Sequence, residues 1–60
     1  MKHITKTLYD ACSFAKEHPE ISQTQIAINF GVDRHSIAKH LLDYSEYSYH
    51  KDNICYYITE

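Results

Sequence analysis

The stretch QTQIAINFGVDRHSIAKHLL, Gln23 to Leu42, decides how this chain is read. It holds the sequence's only glycine, Gly31, near its middle. Ile26, Ala27 and Phe30 lead into that glycine at helical spacing, and Val32, Ile37 and Leu41 lead out of it. Glycine suits the residue just past a helix end, because without a Cβ it enters the left-handed region at no steric cost. Asp33, two residues on, is placed to cap a following helix. The stretch therefore predicts two short helices joined by a tight turn.

Working outward, Ser22 to Gln25 has the S-x-x-Q form of a capping box, and Ile21 and Ile26 flank it as a hydrophobic staple. These signals start the second helix near Gln23 and carry it over about residues 23–30, with a third helix over about residues 34–43. Ile37 and Leu41 face the core in this reading, and Arg34, His35, Ala38 and Lys39 point outward or lie at the edge. Upstream, Ile4, Leu8, Ala11, Cys12, Phe14 and Ala15 recur mostly three or four apart, which predicts an amphipathic first helix over about residues 4–17. Thr5 or Thr7 is its candidate cap, and Lys6 and Asp10 lie one turn apart on its polar face. His18, Pro19 and Glu20 end it, because a proline pushes the residue before it out of the helical region.

Beyond Tyr44 the period becomes two. Tyr47, Tyr49 and Lys51 alternate with Glu46, Ser48 and His50, and Ile54, Tyr56 and Ile58 alternate in turn. A β-hairpin over about residues 46–59 fits, turning at Asp52 and Asn53. Regular pairing would set Lys51 against Ile54, Tyr49 against Tyr56 and Tyr47 against Ile58, all on one face. An isolated hairpin is marginal in water. It must therefore lean on the helices, gain a third strand from Ile21 or the N-terminus, or pair with another subunit.

Sixty residues make one domain, and a chain of this size buries only about 60% of its unfolded surface, too little for a sizeable enclosed active site. A hydrophobic fraction of 43% with scarce glycine and proline argues for a folded core. Six Lys and Arg against eight Asp and Glu give a net charge of −2, unusual for a nucleic-acid binder. The distribution offsets the total: residues 34–42 hold Arg34, Lys39 and two histidines with no acid. The cysteines, Cys12 and Cys55, have neither metal-type nor redox-type spacing and read as small buried or half-buried residues of a cytoplasmic protein. No run reaches the roughly 18 apolar residues of a membrane span. The histidines lack ligand spacing, and no nucleophile with a base or carboxylate pair stands out, so no enzyme, metal, cofactor or small-molecule ligand is expected.

Residues 23–42 resemble the helix-turn-helix of bacterial and phage DNA-binding proteins, with Ala27 where the helices cross, Gly31 at the turn and Ile37 in the core. The I-A-x-x-F-G-V segment is similar to resolvase-type and small sporulation-type regulators, and helices followed by a hairpin are similar to Cro-like repressors and winged-helix domains. The resemblance covers one third of the chain. It implies a mostly α fold, with a three-helix core followed by a small C-terminal hairpin acting as a wing. It also implies sequence-specific binding of duplex DNA, with the third helix in the major groove and a role in transcriptional regulation.

On that resemblance Arg34, His35, Ala38 and Lys39 contact bases: Arg34 donating to guanine, Ala38 touching a thymine methyl, Lys39 and His35 reaching a base or phosphate. Gln23, Thr24 and Gln25 at the second helix's start and Lys51 at the hairpin tip contact phosphates. Otherwise Arg34 and Lys39 are ordinary solvated charges and Lys51 a solubilising turn residue. His40 departs from the pattern, which usually carries an apolar residue there; it is a half-buried histidine or a phosphate contact. Tyr44, Tyr47, Tyr49, Tyr56 and Tyr57 suit packing or a dimer surface, with base stacking as the alternative. A homodimer through the hairpin's free edge is expected by analogy. Two other readings stay open: a DNA-binding module of a larger recombinase or endonuclease, and a protein-interaction module on the same scaffold, which the net charge favours.

Overall fold

Thr5 is where the chain changes from strand to helix. The computed structural model describes residues 3–58. Strand β1 (His3–Thr5) comes first, and helix α1 (Lys6–Glu17) follows directly. The expected helix from residue 4 therefore begins later. Ile4 stands four residues before Leu8, which mimics helical spacing, but its backbone pairs with Cys55 and its side chain is buried from the sheet side. Thr5 keeps extended dihedrals, and its Oγ1 accepts the Leu8 N–H at 3.1 Å, which chooses between the two candidate caps. The buried stripe of α1 is Leu8, Ala11, Cys12 and Ala15. Phe14 lies at its edge, 5.7 Å from the Phe30 ring. Lys6 and Asp10 meet at 3.2 Å on the exposed face, a pair worth little in water.

Helix α2 (Gln23–Phe30) starts and stops where its local signals put it. Ser22 Oγ accepts the Gln25 N–H at 3.2 Å, but the Gln25 amide donates to Asn29 at 3.2 Å. The Ser22 half of the capping box is formed, and the Gln25 side-chain NH2 is turned to the next turn of its own helix. Gly31 sits at φ 70° and ψ 33°, in the left-handed region, and the Val32 N–H returns to the Ala27 carbonyl at 3.0 Å. Asp33 then caps helix α3 (Arg34–His40). Here α3 is shorter than the expected 34–43. Leu41 keeps helical dihedrals, the Asp43 N–H closes a tighter turn onto the His40 carbonyl at 3.2 Å, and a single 3-10 turn (Tyr44–Glu46) follows. Leu42 is 90% exposed and gives the helix no apolar anchor past Leu41.

The hairpin is strand β2 (Tyr47–Lys51) and strand β3 (Ile54–Tyr57), shorter than 46–59 at both ends. Glu46 belongs to the 3-10 turn, Ile58 lies past the strand, and Thr59 lies outside the described residues. Asp52 and Asn53 both take positive φ, 54° and 63°, the geometry of the tight turn that matches strand twist. The N-terminus supplies the third strand, in the order β1-β3-β2, all antiparallel.

One expectation fails in the register. Lys51 pairs with Ile54 and Tyr49 with Tyr56 as predicted, but Tyr47 pairs with Tyr57 and not Ile58, because the ladder is irregular between Tyr47 and Tyr49. The extra residue turns Tyr47 from the outer face to the inner one. Tyr47 is 1% exposed, its ring 4.7 Å from Tyr57 at 71°. Strict alternation would have left this large ring in water. The core is one cluster of Ile4, Leu8, Ala11, Cys12, Ala15, Ile26, Ala27, Ile37, Tyr47 and Cys55. No helix among the described residues is long and apolar enough to cross a membrane.

Candidate nucleic-acid interface

Ile37 is fully buried, and it fixes which way α3 presents its other residues. Arg34, His35, Ala38 and Lys39 are all exposed, on the side turned from the core, with Arg34 one turn from Ala38 and His35 one turn from Lys39. The structure thus brings the four expected base-contact residues onto one surface. Gln23, Thr24 and Gln25 are exposed at the start of α2. Lys51 is exposed beside the hairpin turn. His40 stands apart from these. It is half-buried on the flank of α3, its ring 6.1 Å from Tyr47 at 86°, and with Ser36 it lines an open groove of about 400 Å³ facing His3 and Thr5 of β1.

The charge at the head of α3 is organised by Asp33. Its Oδ1 accepts the His35 N–H at 2.8 Å and lies 3.1 Å from His35 Nδ1. The backbone bond from His35, then the His35 ring and nearby Arg34, hold the Asp33 carboxyl below its usual range. Asp33 is therefore the cap expected of it, and its negative charge is engaged by the helix it starts. The sequence reading assigned Asp33 and His35 separate roles. Their spacing, cap and second helical residue, is the signal that links them.

Comparison with protein-family models, curated proteins and solved structures finds no match to this chain. The chemistry of the surface itself must carry the functional reading.

Two thiols and a tyrosine show what the rest of the molecule offers. Burial, with the Asp43 carboxylate adding to it, pushes the Cys12 thiol up to about 11. Burial also raises Cys55, which sits 3.2 Å from His50 Nδ1. Both cysteines are free, buried and protonated at neutral pH, the inert kind. Tyr57 donates to Glu46 Oε1 at 2.9 Å, and that bond to a carboxylate pushes the phenol up to about 12. With the Ile58 N–H bonded to the Glu46 carbonyl at 2.7 Å, the 3-10 turn is tied to the end of β3. These are structural contacts.

The outer face of the sheet holds a feature the sequence reading saw only in part. The rings of His3, Tyr56 and Tyr49 lie side by side across the three strands, 5.9 and 5.6 Å apart. Tyr49 is 57% exposed and Ile58 59%. The row was legible for Tyr49 and Tyr56 from their alternation. His3 joins it only because β1 adds to the hairpin.

Proposed function

We propose that this protein binds duplex DNA sequence-specifically, placing α3 in the major groove, and acts as a transcriptional regulator of the helix-turn-helix type. One observation carries the reading: the exposed side of α3 presents Arg34, His35, Ala38 and Lys39 together, and residues 34–42 contain no carboxylate. That surface has the dimensions of a single short helix, which the major groove admits, and a charge complementary to its phosphate walls. Arg34 donates to a guanine edge, Ala38 packs on a thymine methyl, and His35 and Lys39 reach bases or phosphates. Gln23, Thr24 and Gln25 hold phosphates at the free amides of α2, with His40 and Lys51 as further backbone contacts. One such helix reads few bases, so two copies on a two-fold site complete the recognition. The outer edge of β2, which no strand of this chain covers among the described residues, is the surface for that pairing.

Titration with mixed genomic duplex DNA at low and high salt tests the reading. Binding should weaken steeply with salt, and Arg34→Ala and Lys39→Ala should each reduce affinity, with the salt slope falling by about one for a phosphate contact. Absence of salt-dependent binding at low ionic strength, with no effect of either variant, overturns it. The net charge of −2 and the exposed aromatic row favour a second reading, a protein-interaction module on the same scaffold. In that case the variants that matter are Tyr49→Ala and Tyr56→Ala, not those on α3.

A further inference from the structure

Leu42 is the most exposed large apolar side chain among the described residues, at 90%. Its neighbours on both sides, Leu41, Asp43 and Tyr44, are all half-buried, so folding makes no use of it. Its direction follows from the backbone. Leu41 is helical at φ −59° and ψ −35°, and the turn closed by the Asp43 N–H onto the His40 carbonyl tightens the chain toward three residues per turn. Leu42 therefore follows Lys39 by one tight turn and Ala38 by one α-helical turn, and it extends the same surface beyond the end of α3.

We propose that Leu42 is a specificity-determining residue that reads the C5-methyl group of a pyrimidine in the major groove, one helical turn beyond the methyl that Ala38 touches. This rests on the reading of α3 as the DNA-contacting helix. Ala38 and Leu42 form a narrow apolar strip bordered by Arg34 and Lys39, and the segment has no carboxylate. A partner protein would be met poorly by one alanine methyl and one leucine between cations, since protein interfaces favour aromatic-rich cores. The larger apolar surface suited to that use lies across the sheet at Tyr49, Tyr56 and Ile58. In the major groove, by contrast, the methyl of thymine is the apolar group on offer between phosphate-lined walls. A 5-methylcytosine presents the same group at the same place. The shared chemistry is a 5-methylpyrimidine.

The test uses the full chain and duplexes enriched from a random pool by binding to it. Each thymine of the enriched site is replaced singly by uracil, which removes the methyl and leaves base pairing intact. Where a cytosine is tolerated at the sensitive position, cytosine and 5-methylcytosine are compared there. Wild-type protein should lose about four-fold in affinity at a thymine whose methyl is buried by Leu42, the value for burying one such group. Leu42→Ala should bind the thymine and uracil forms equally at that position, while keeping discrimination at the Ala38 position and the wild-type salt slope. A gain with 5-methylcytosine shows that the residue senses the methyl in either base; discrimination confined to thymine against uracil restricts it to thymine and still supports the proposal. Equal wild-type affinity for thymine and uracil at every position overturns this inference and the Ala38 methyl contact, and leaves DNA binding itself standing. Discrimination unchanged in Leu42→Ala overturns this inference alone, as does a parallel loss of all binding with a change in sedimentation, which would make Leu42 a protein contact. No binding to any duplex of the pool at low salt overturns the DNA reading and this inference together.

Discussion

The α2–α3 pair and the β2–β3 pair are both built from two short elements around a tight turn, yet they are held by different forces. The helix pair is specified within a few residues of each boundary: Ser22 opens α2, Gly31 closes it, and Asp33 opens α3. The hairpin obeys its local signals from the turn, where Asp52 and Asn53 take positive φ, out to the Tyr49–Tyr56 pair. Five residues before the turn, Tyr47 leaves the alternation and enters the core. Local hydrogen bonds set the first pair, and burial of one aromatic ring sets the register of the second. The two pairs also leave different surfaces to solvent, cationic on α3 and aromatic on the sheet.

The sharpest way to break this comparison is to remove the ring. Tyr47→Ala takes away the largest fully buried side chain and the reason for the irregular ladder. It should cost about 3–5 kcal/mol, as large aromatic truncations in cores do. A domain of this size has a total stability of only about 3–9 kcal/mol, so the variant should be largely unfolded. Tyr49→Ala, two residues away and 57% exposed, should cost under about 1 kcal/mol. Denaturant unfolding of the two variants measures both. Equal losses would mean that the outer aromatic row, and not the buried ring, holds the hairpin.

Gly31 offers the corresponding test on the helix pair. A Cβ built there meets no atom within 4 Å, so the cost of Gly31→Ala is conformational alone, from forcing an alanine to φ near +70°. That is about 1–2 kcal/mol. Gly31→Asn should cost less, since asparagine visits the left-handed region more readily. If alanine and asparagine were equally tolerated, the left-handed turn would not be what positions α3.

How much the sequence revealed follows the same division. Every boundary of α2 was legible because its determinants, Ser22 and Gly31, are neighbours of what they determine. The exposure of Arg34, His35, Ala38 and Lys39 was legible too, since Ile37 and the helical period settle it. Strand β1 was not. His3–Thr5 is three residues long, and Ile4 falls in step with the stripe of α1, so only its pairing with Cys55 reveals it. The inward turn of Tyr47 was hidden for a similar reason: it depends on Tyr57 of β3 and on His40 of α3, which lie on other elements. In the candidate interface, the early end of α3 and the bare Leu42 were obscured because Leu42 continues an apolar pattern that the core, which Leu41 still packs against, no longer needs. The Asp33–His35 contact was missed because the spacing of cap and second helical residue only permits it, and side-chain geometry makes it.

That contact gives the smallest expected effect and the most specific one. Since the folded Asp33 carboxyl titrates below its unfolded value, the ionised cap stabilises the protein at neutral pH, fully so above the unfolded pKa near 4. The contribution is lost as pH falls through the lower, folded value. Asp33→Asn keeps an acceptor for the His35 N–H but removes the charge, so it should cap α3 without this pH dependence. Thermal melts of wild type and Asp33→Asn should therefore differ at neutral pH and converge in acid, whereas Asp33→Ala should stay below Asp33→Asn throughout. A constant gap between wild type and Asp33→Asn down to about pH 2–3 would show that the charge contributes nothing beyond the hydrogen bond. The helix pair would then be held by cap geometry alone.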